Sequence, residues 1–201
     1  MKRSLKRSEQ ANNFVCEVNP DVQELTINSK KNIVEPSQFL VDNVELLPGG
    51  RVLDVAMGKG RNAVYLAGMG FEVEGVDISE EAVKSASEWA RESGVDITAR
   101  VADLEGDFFI EEGAYDVIIC FNYLHRPLIP QIKKGLRRGG IIVYETFTVE
   151  QARYGKPSNP DYLLKHNELL EMFRDFRCLF YREGIIENRK AVASLIAEKS
   201  L

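Results

Sequence analysis

The chain is poor in cysteine and histidine. Three cysteines, Cys16, Cys120 and Cys178, stand far apart in 201 residues, and an odd, scattered set is poor material for a disulfide framework. There is no C-x-x-C and no H-x-x-x-H, and the only histidines are His125 and His166, so no structural metal site is expected. Long apolar runs are missing too: none approaches the ~20 residues that a helix needs to span a bilayer. Met1 to Gln10 is basic but lacks an apolar core, unlike a secretory signal, and the expected location is the cytoplasm. An excess of positive charge is also absent. Against 31 acidic residues stand 26 Lys and Arg, a net charge of −5. Proteins built to hold nucleic acid usually carry the opposite balance, so a small-molecule partner is favoured over nucleic acid or membrane. Hydrophobic content of 44% and charged content of 28% are those of an ordinary globular protein, and the length suits one α/β domain. Nothing in the sequence specifies an oligomeric state.

Residues 1–31 are polar and without sustained period, and read as a flexible N-terminal arm; residues 32–201 read as one domain. Phe39, Leu40, Val44 and Leu47 recur at helical spacing between Pro36 and Pro48-Gly49-Gly50, which predicts a helix over Glu35 to Leu47. Strands and helices then alternate. Strands are expected at Val52–Val55, Glu72–Val76, Ile97–Val101, Asp116–Phe121 and Gly140–Thr146, with two late apolar segments at Cys178–Tyr181 and Ala191–Ala197. Helices are expected at Arg61–Met69, from the cap Ser79 to about Ser93, from Pro127 to about Arg137, and after the cap Asn167. Phe147 to Asp161 reads as a long loop. This rhythm predicts a doubly wound, mostly parallel sheet with helices on both faces.

The chemistry-bearing pattern begins at Arg51-Val52-Leu53-Asp54-Val55-Ala56-Met57-Gly58-Lys59-Gly60-Arg61-Asn62. An apolar strand ends in an acid, and two glycines follow, which let backbone pass close to a ligand because no Cβ intervenes. The next strand ends in Asp77, where a carboxylate can accept from ribose hydroxyls. Taken alone, the glycines also fit a dinucleotide fingerprint. Three features point elsewhere. Asp54 suits an ammonium group and would repel a pyrophosphate, which needs amides at that corner. Ala102-Asp103-Leu104 places an acid after the third strand, suited either to an adenine amine or to capping a helix. Leu136-Arg137-Arg138-Gly139-Gly140 makes the turn into the fifth strand.

Together with Val73 to Ser79, Tyr115 to Leu124 and the Glu145-Thr146-Phe147 ending, these motifs resemble the class I S-adenosylmethionine-dependent methyltransferases. The Arg61 to Leu66 continuation is similar to the tellurite-resistance-type subgroup. The resemblance runs from about Glu35 to Leu201. It implies a seven-stranded Rossmann-like sheet whose last strand is antiparallel and inserted beside the fifth. It implies S-adenosyl-L-methionine as cofactor, held by Asp54, Ala56, Gly58, Gly60 and Asn62, by Asp77 and Ile78, by Ala102, Asp103 and Leu104, and by Phe121 and Asn122. The sequence departs from the family pattern in two places. Met57 and Lys59 enlarge the loop, and Arg138 stands where proline is common.

A sulfonium is already an activated methyl donor, so alignment with the acceptor is the enzyme's main task and a general base is needed only where the acceptor must lose a proton. Substrate-side candidates lie after the fourth and fifth strands: Tyr123, His125 and Arg126, then Glu145, Thr146 and the loop residue Tyr154. Tyr123, His125 and Glu145 are the candidate catalytic groups. His125 is either a base or a residue hydrogen-bonding ahead of Pro127; Arg126 either meets an anionic substrate or lies solvated. Cys120, inside an apolar strand, reads as core. The small cap suits a small acceptor such as a thiol or a chalcogen oxyanion. Two other functions share the same sheet: a nicotinamide-dependent oxidoreductase, and a non-catalytic S-adenosylmethionine-binding regulator.

Overall fold

In the computed structural model, which describes residues 35–186 and 190–200, the chain forms a seven-stranded sheet. The segment read as an N-terminal arm lies outside the described residues. The strands are β1 (Arg51–Val55), β2 (Glu72–Asp77), β3 (Ile97–Val101), β4 (Tyr115–Phe121), β5 (Leu136–Phe147), β6 (Arg177–Ile186) and β7 (Lys190–Glu198), in the spatial order β3-β2-β1-β4-β5-β7-β6. From β3 to β5 all pairings are parallel. β7 inserts antiparallel between β5 and β6, with Glu145 opposite Ser194. This is the sheet that the sequence predicts.

The reason lies in burial. Four of the five β1 residues and six of the seven β4 residues are buried, as strands covered on both faces must be. One face carries Leu53, Val55, Ile118, Cys120, Ile142 and Tyr144; the other carries Val52, Val117, Ile119, Phe121, Ile141 and Val143. Helices α2 (Arg61–Gly68), α3 (Glu80–Glu92) and α4 (Ile129–Gly135) connect the parallel strands. Ser79 caps α3 by accepting from the Ala82 amide at 3.2 Å.

Four local expectations are corrected. The helix predicted over Glu35–Leu47 is a single turn, α1 (Gln38–Val41), followed by a 3-10 turn at Val44–Leu46. The Asn43 side chain donates to the Phe39 carbonyl at 2.8 Å, and such local bonds compete with helix continuation. The helix predicted from Pro127 starts as a 3-10 turn, Arg126–Leu128, and ends at Gly135. β5 then begins at Leu136, with an irregularity in its pairing to β4 between Tyr115 and Val117. The loop after β5 holds two 3-10 turns, Val149–Arg153 and Pro160–Tyr162. Asn167 precedes the short helix α5 (Glu168–Met172) but makes no side-chain cap bond. Its φ of 60° is left-handed, and its amide donates to Glu183 Oε2 at 2.8 Å.

Candidate active site

At the carboxyl ends of β1, β2 and β4 lies a cavity of about 450 Å³, lined by Asp54, Ala56, Met57, Gly58, Lys59, Arg61, Asn62, Asp77, Phe121, Asn122 and Tyr123. Such a crevice is where open parallel sheets place ligands. Its floor is the loop from Asp54 to Gly60. Ala56 and Asn122 both hold positive φ, 56° and 57°, a costly conformation for residues other than glycine and one that clusters at functional sites. Gly60 has φ +80°, and a Cβ there would stand 2.7 Å from the Ala86 Cβ. The glycine is therefore needed both for the turn and for the close approach of α2 to α3.

Asp54 is 2% exposed, and its Oδ2 has no hydrogen-bond partner among the described residues. Burial raises its pKa from 3.8 to about 8; the positive charge of Arg61 and the Ala63 amide oppose the rise, and Asp77 adds to it. A buried carboxylate oxygen with no partner, at the wall of a cavity, is built to meet a cation. Asp77 is already engaged: Oδ2 accepts from the Gly58 amide at 2.8 Å and Oδ1 from the Ser79 amide at 2.9 Å. Each carboxylate oxygen has a further acceptor position, so Asp77 can order the glycine loop and still receive hydroxyls. Asn62 is buried, and its Oδ1 accepts from the Ser37 amide at 2.9 Å, which anchors the segment before α1 to the cavity's rim.

Met57 does not enlarge the loop. Its side chain packs with Val83 and Ala86 and fills the space over Gly75, where a Cβ would lie 2.1 Å from its Sδ. Lys59 is exposed at the cavity's rim, and Arg61 lines the cavity too; the place of Arg61 beside Asp54 is not visible in a linear motif. Ile78 is 67% exposed, and Leu104 is buried in the core. Ala102 donates its amide to the Asp77 carbonyl at 2.9 Å, so its loop starts beside the cavity. Asp103 caps no helix; its Oδ1 accepts from the Glu105 amide at 2.9 Å in a turn. Ile78, Ala102, Asp103 and Leu104 are not among the residues lining the cavity.

Of the candidate catalytic groups, Tyr123 lines the cavity. Its hydroxyl is buried with no partner among the described residues, and burial, with the nearby Glu105, pushes its pKa up. His125 points its Nδ1 toward Glu105 Oε1 at 3.9 Å, a neighbour supplied by the loop after β3. Glu145 is set apart from both: its Oε2 accepts from Ser194 Oγ at 2.6 Å and from Arg182 Nη2 at 3.2 Å, and it does not line the cavity. Cys120 is fully buried, and burial pushes its thiol up to about 12, which suits a core residue. Tyr154 lines neither this cavity nor the next.

A second cavity of about 530 Å³ is lined by Asn122, Phe147, Lys156, Pro157, Ser158, Asn159 and Tyr162. It shares Asn122 with the first. Its wall comes from a segment without hydrophobic period, so only Phe147 and Asn122, next to strand ends, carried a positional signal.

A family model described as a methyltransferase domain matches residues 52–140. A probable S-adenosyl-L-methionine-dependent methyltransferase, TehB of Haemophilus influenzae strain 10810, is 25% identical over 171 residues, 81% of this chain and 58% of that protein. A ubiquinone biosynthesis O-methyltransferase of Burkholderia vietnamiensis is 32% identical over 111 residues, 53% of this chain and 48% of that protein. The chain thus spans about half to three-fifths of the length of these curated relatives. Among solved structures, TehB from Haemophilus influenzae shares the fold with a TM-score of 0.68 at 24% identity, over 80% of this chain and 61% of that chain. A geranyl diphosphate C-methyltransferase from Streptomyces coelicolor, solved with S-adenosyl-L-homocysteine, shares it with a TM-score of 0.62 at 18% identity, over 81% of this chain and 76% of that one. The relative matched over most of this chain is named for S-adenosylmethionine, and the cavity here offers an unpaired buried acid and a glycine loop, features that suit a ligand with an ammonium group and a close backbone approach. By its sheet, its cavity and these likenesses, the chain is similar to the S-adenosylmethionine-dependent methyltransferases, and its residues 52–140 match the methyltransferase-domain model.

Proposed function

We propose that the chain methylates a small neutral or anionic molecule bound in the second cavity. The observation that carries this reading is the contact of the two cavities at Asn122. Groups bound in the two cavities would border the same residue, the nearness of donor and acceptor that direct in-line transfer requires. The second cavity's lining includes Lys156 and no carboxylate, which disfavours a cationic acceptor. Phe147, Pro157 and Tyr162 offer apolar surface, and a volume of about 530 Å³ is that of a small-molecule site.

S-adenosylmethionine, when bound, supplies a methyl group already activated on sulfur. The residues supply position. Asp54 fixes the ammonium end, Asp77 orders the glycine loop and receives the ribose, and Phe121 and Asn122 border the reacting end. Tyr123 presents a buried hydroxyl with a raised pKa at the cofactor cavity, so at neutral pH it is a hydrogen-bond donor on the cofactor's side of the site. His125, in the same segment after β4, faces Glu105 and lines neither cavity.

Calorimetric titration with S-adenosylmethionine, S-adenosylhomocysteine and NAD tests the cofactor site. Binding of the first two in the micromolar range, about −8 kcal/mol, with none of NAD, is the expected result. NAD binding alone would sink it. A screen of small thiols and chalcogen oxyanions for methylated product then tests the acceptor class; transfer only to a protein or nucleic acid would refute it.

A further inference from the structure

We infer that Arg126 is a positioning residue for the acceptor, holding the wall of the second cavity in place without touching the acceptor. The inference rests on reading that cavity as the acceptor site. Arg126 lines neither the first nor the second cavity. Its guanidinium instead grips the segment that ends the wall. Nη1 donates to the Asp161 carbonyl at 2.8 Å, and Nη2 to the Leu163 carbonyl at 2.9 Å. Nε and Nη2 meet Glu168 Oε1 and Oε2 at 2.6 and 2.9 Å. Two carbonyls and a bidentate carboxylate engage all three nitrogens of the planar guanidinium, and a lysine cannot reproduce them.

The wall needs such a grip. Its base is firm: Leu163 and Leu164 are buried, the Leu164 amide donates to the Phe147 carbonyl and the Val149 amide to the Leu164 carbonyl, each at 2.9 Å. Between these points Gly155, Lys156, Asn159 and Asp161 are exposed, and Tyr162 is 53% exposed. Arg126 holds the Pro160–Tyr162 turn at Asp161, one residue from the cavity-lining Tyr162. Arg126 also follows Tyr123 in the same short segment after β4, and Tyr123 lines the cofactor cavity. One side chain thereby ties the segment that borders the cofactor to the wall that bears the acceptor. Glu168 completes the staple, its Oε2 also accepting from the Lys165 amide at 2.7 Å.

The test uses the full chain loaded with S-adenosylmethionine. Arg126→Lys keeps the charge and removes the fork; Glu168→Gln removes the charge of the partner and keeps its size. 2-Mercaptoethanol and sodium selenite are the acceptor probes, each varied at saturating cofactor. The expected result is a fall in kcat/KM for the probe of about tenfold to a hundredfold, the cost of a small misplacement, carried by KM. Cofactor Kd stays within about twofold, because Arg126 does not border that cavity. Amide hydrogen exchange rises over residues 155–163 and not over residues 51–60. An unchanged wall exchange in Arg126→Lys would overturn the staple, and so would a faster wall with unchanged probe KM. Loss of cofactor binding in the variant would instead make Arg126 part of the cofactor site. A wild type that binds S-adenosylmethionine but methylates neither probe nor any screened compound overturns the acceptor reading and this inference with it; a wild type that does not bind S-adenosylmethionine overturns the cofactor site first.

Discussion

Asp54 enters the folded protein with one carboxylate oxygen unpaired and nearly no access to water, and two consequences follow from that single group. Its folded pKa, about 8, lies above its ordinary value of 3.8 because burial disfavours the charge. The folded state therefore holds a proton that the unfolded chain releases, and stability from this group is present below about pH 4 and lost as pH rises toward 8. An ammonium group placed against Asp54 reverses this by favouring the carboxylate. Cofactor binding at pH 7 is expected to release a proton, visible as a difference between binding enthalpies in phosphate and Tris. Asp54→Asn is expected to abolish the release and to weaken binding by about 2–5 kcal/mol, the range for truncating one side of a buried charged pair. Identical heats in the two buffers would remove Asp54 from the ammonium site. Asp77 carries a different load, since it orders Gly58 and Ser79 as well as facing the cavity. Asp77→Ala is expected to lower cofactor affinity about 10- to 100-fold, two charge-assisted hydrogen bonds being involved, with circular dichroism unchanged. Undiminished affinity for S-adenosylmethionine would reject the ribose assignment. Both aspartates are legible in sequence because Asp54 follows the apolar pair Val52-Leu53 near the end of β1 and Asp77 closes β2. The raised pKa of Asp54 is not, because it depends on what the fold packs around it.

At the scale of elements, the loop from Asp54 to Gly60 is a backbone device. Gly60→Ala introduces a Cβ 2.7 Å from that of Ala86 at a residue with φ +80°. It is expected to separate α2 from α3, to lower the melting temperature, and to cost cofactor affinity together with stability. Retained affinity at a lowered melting temperature would show that the loop tolerates a different entry into α2. The first four strands were legible to within a residue because both-face burial leaves continuous apolar runs, as in β4, while β5 starts earlier and β6 runs further than their apolar cores predict. The helices were less legible. α1 is cut short by the side chain of Asn43, and α4 by an early start of β5; neither competing contact leaves a period in the sequence. The wall after β5 was legible only as a loop, since its order comes from Arg126, Leu163 and Leu164 rather than from local propensity.

Across the whole described domain, distant elements are tied by a few contacts. Phe39 on α1 packs at 5.4 Å against the ring of Phe180 on β6, and the Arg182 guanidinium lies 5.2 Å over it. Arg182 continues to Glu145, and Glu145 to Ser194. The segment just before α1 is meanwhile bound to Asn62 at the cofactor cavity. Phe39→Ala is expected to cost about 3–5 kcal/mol and to lower the melting temperature by several degrees for each, about 2–4 °C per kcal/mol in a chain of this size, read by thermal denaturation. An unchanged melting temperature would show that α1 contributes little to the described domain. Glu145, a candidate for catalysis from its place near the end of the fifth strand, is found in this cross-strand chain of polar contacts, because β7 inserts beside β5 and brings Ser194 opposite it.

The sequence by itself determined the sheet and the place of the cavity at its strand ends. Hydrophobic periodicity marks buried strands whatever lies far away, and the acids and glycines near the strand ends stand at positions that the local backbone already sets. The tertiary structure alone decided which polar side chains face the cavities and which are spent on the scaffold. Glu145 lies near the end of β5 and Arg126 follows β4 as Asn122 and Tyr123 do, yet the first pairs across β7 and the second staples a loop. Those outcomes depend on partners 35 to 49 residues away in the chain, and a contact at that separation is set by the packing of the whole sheet.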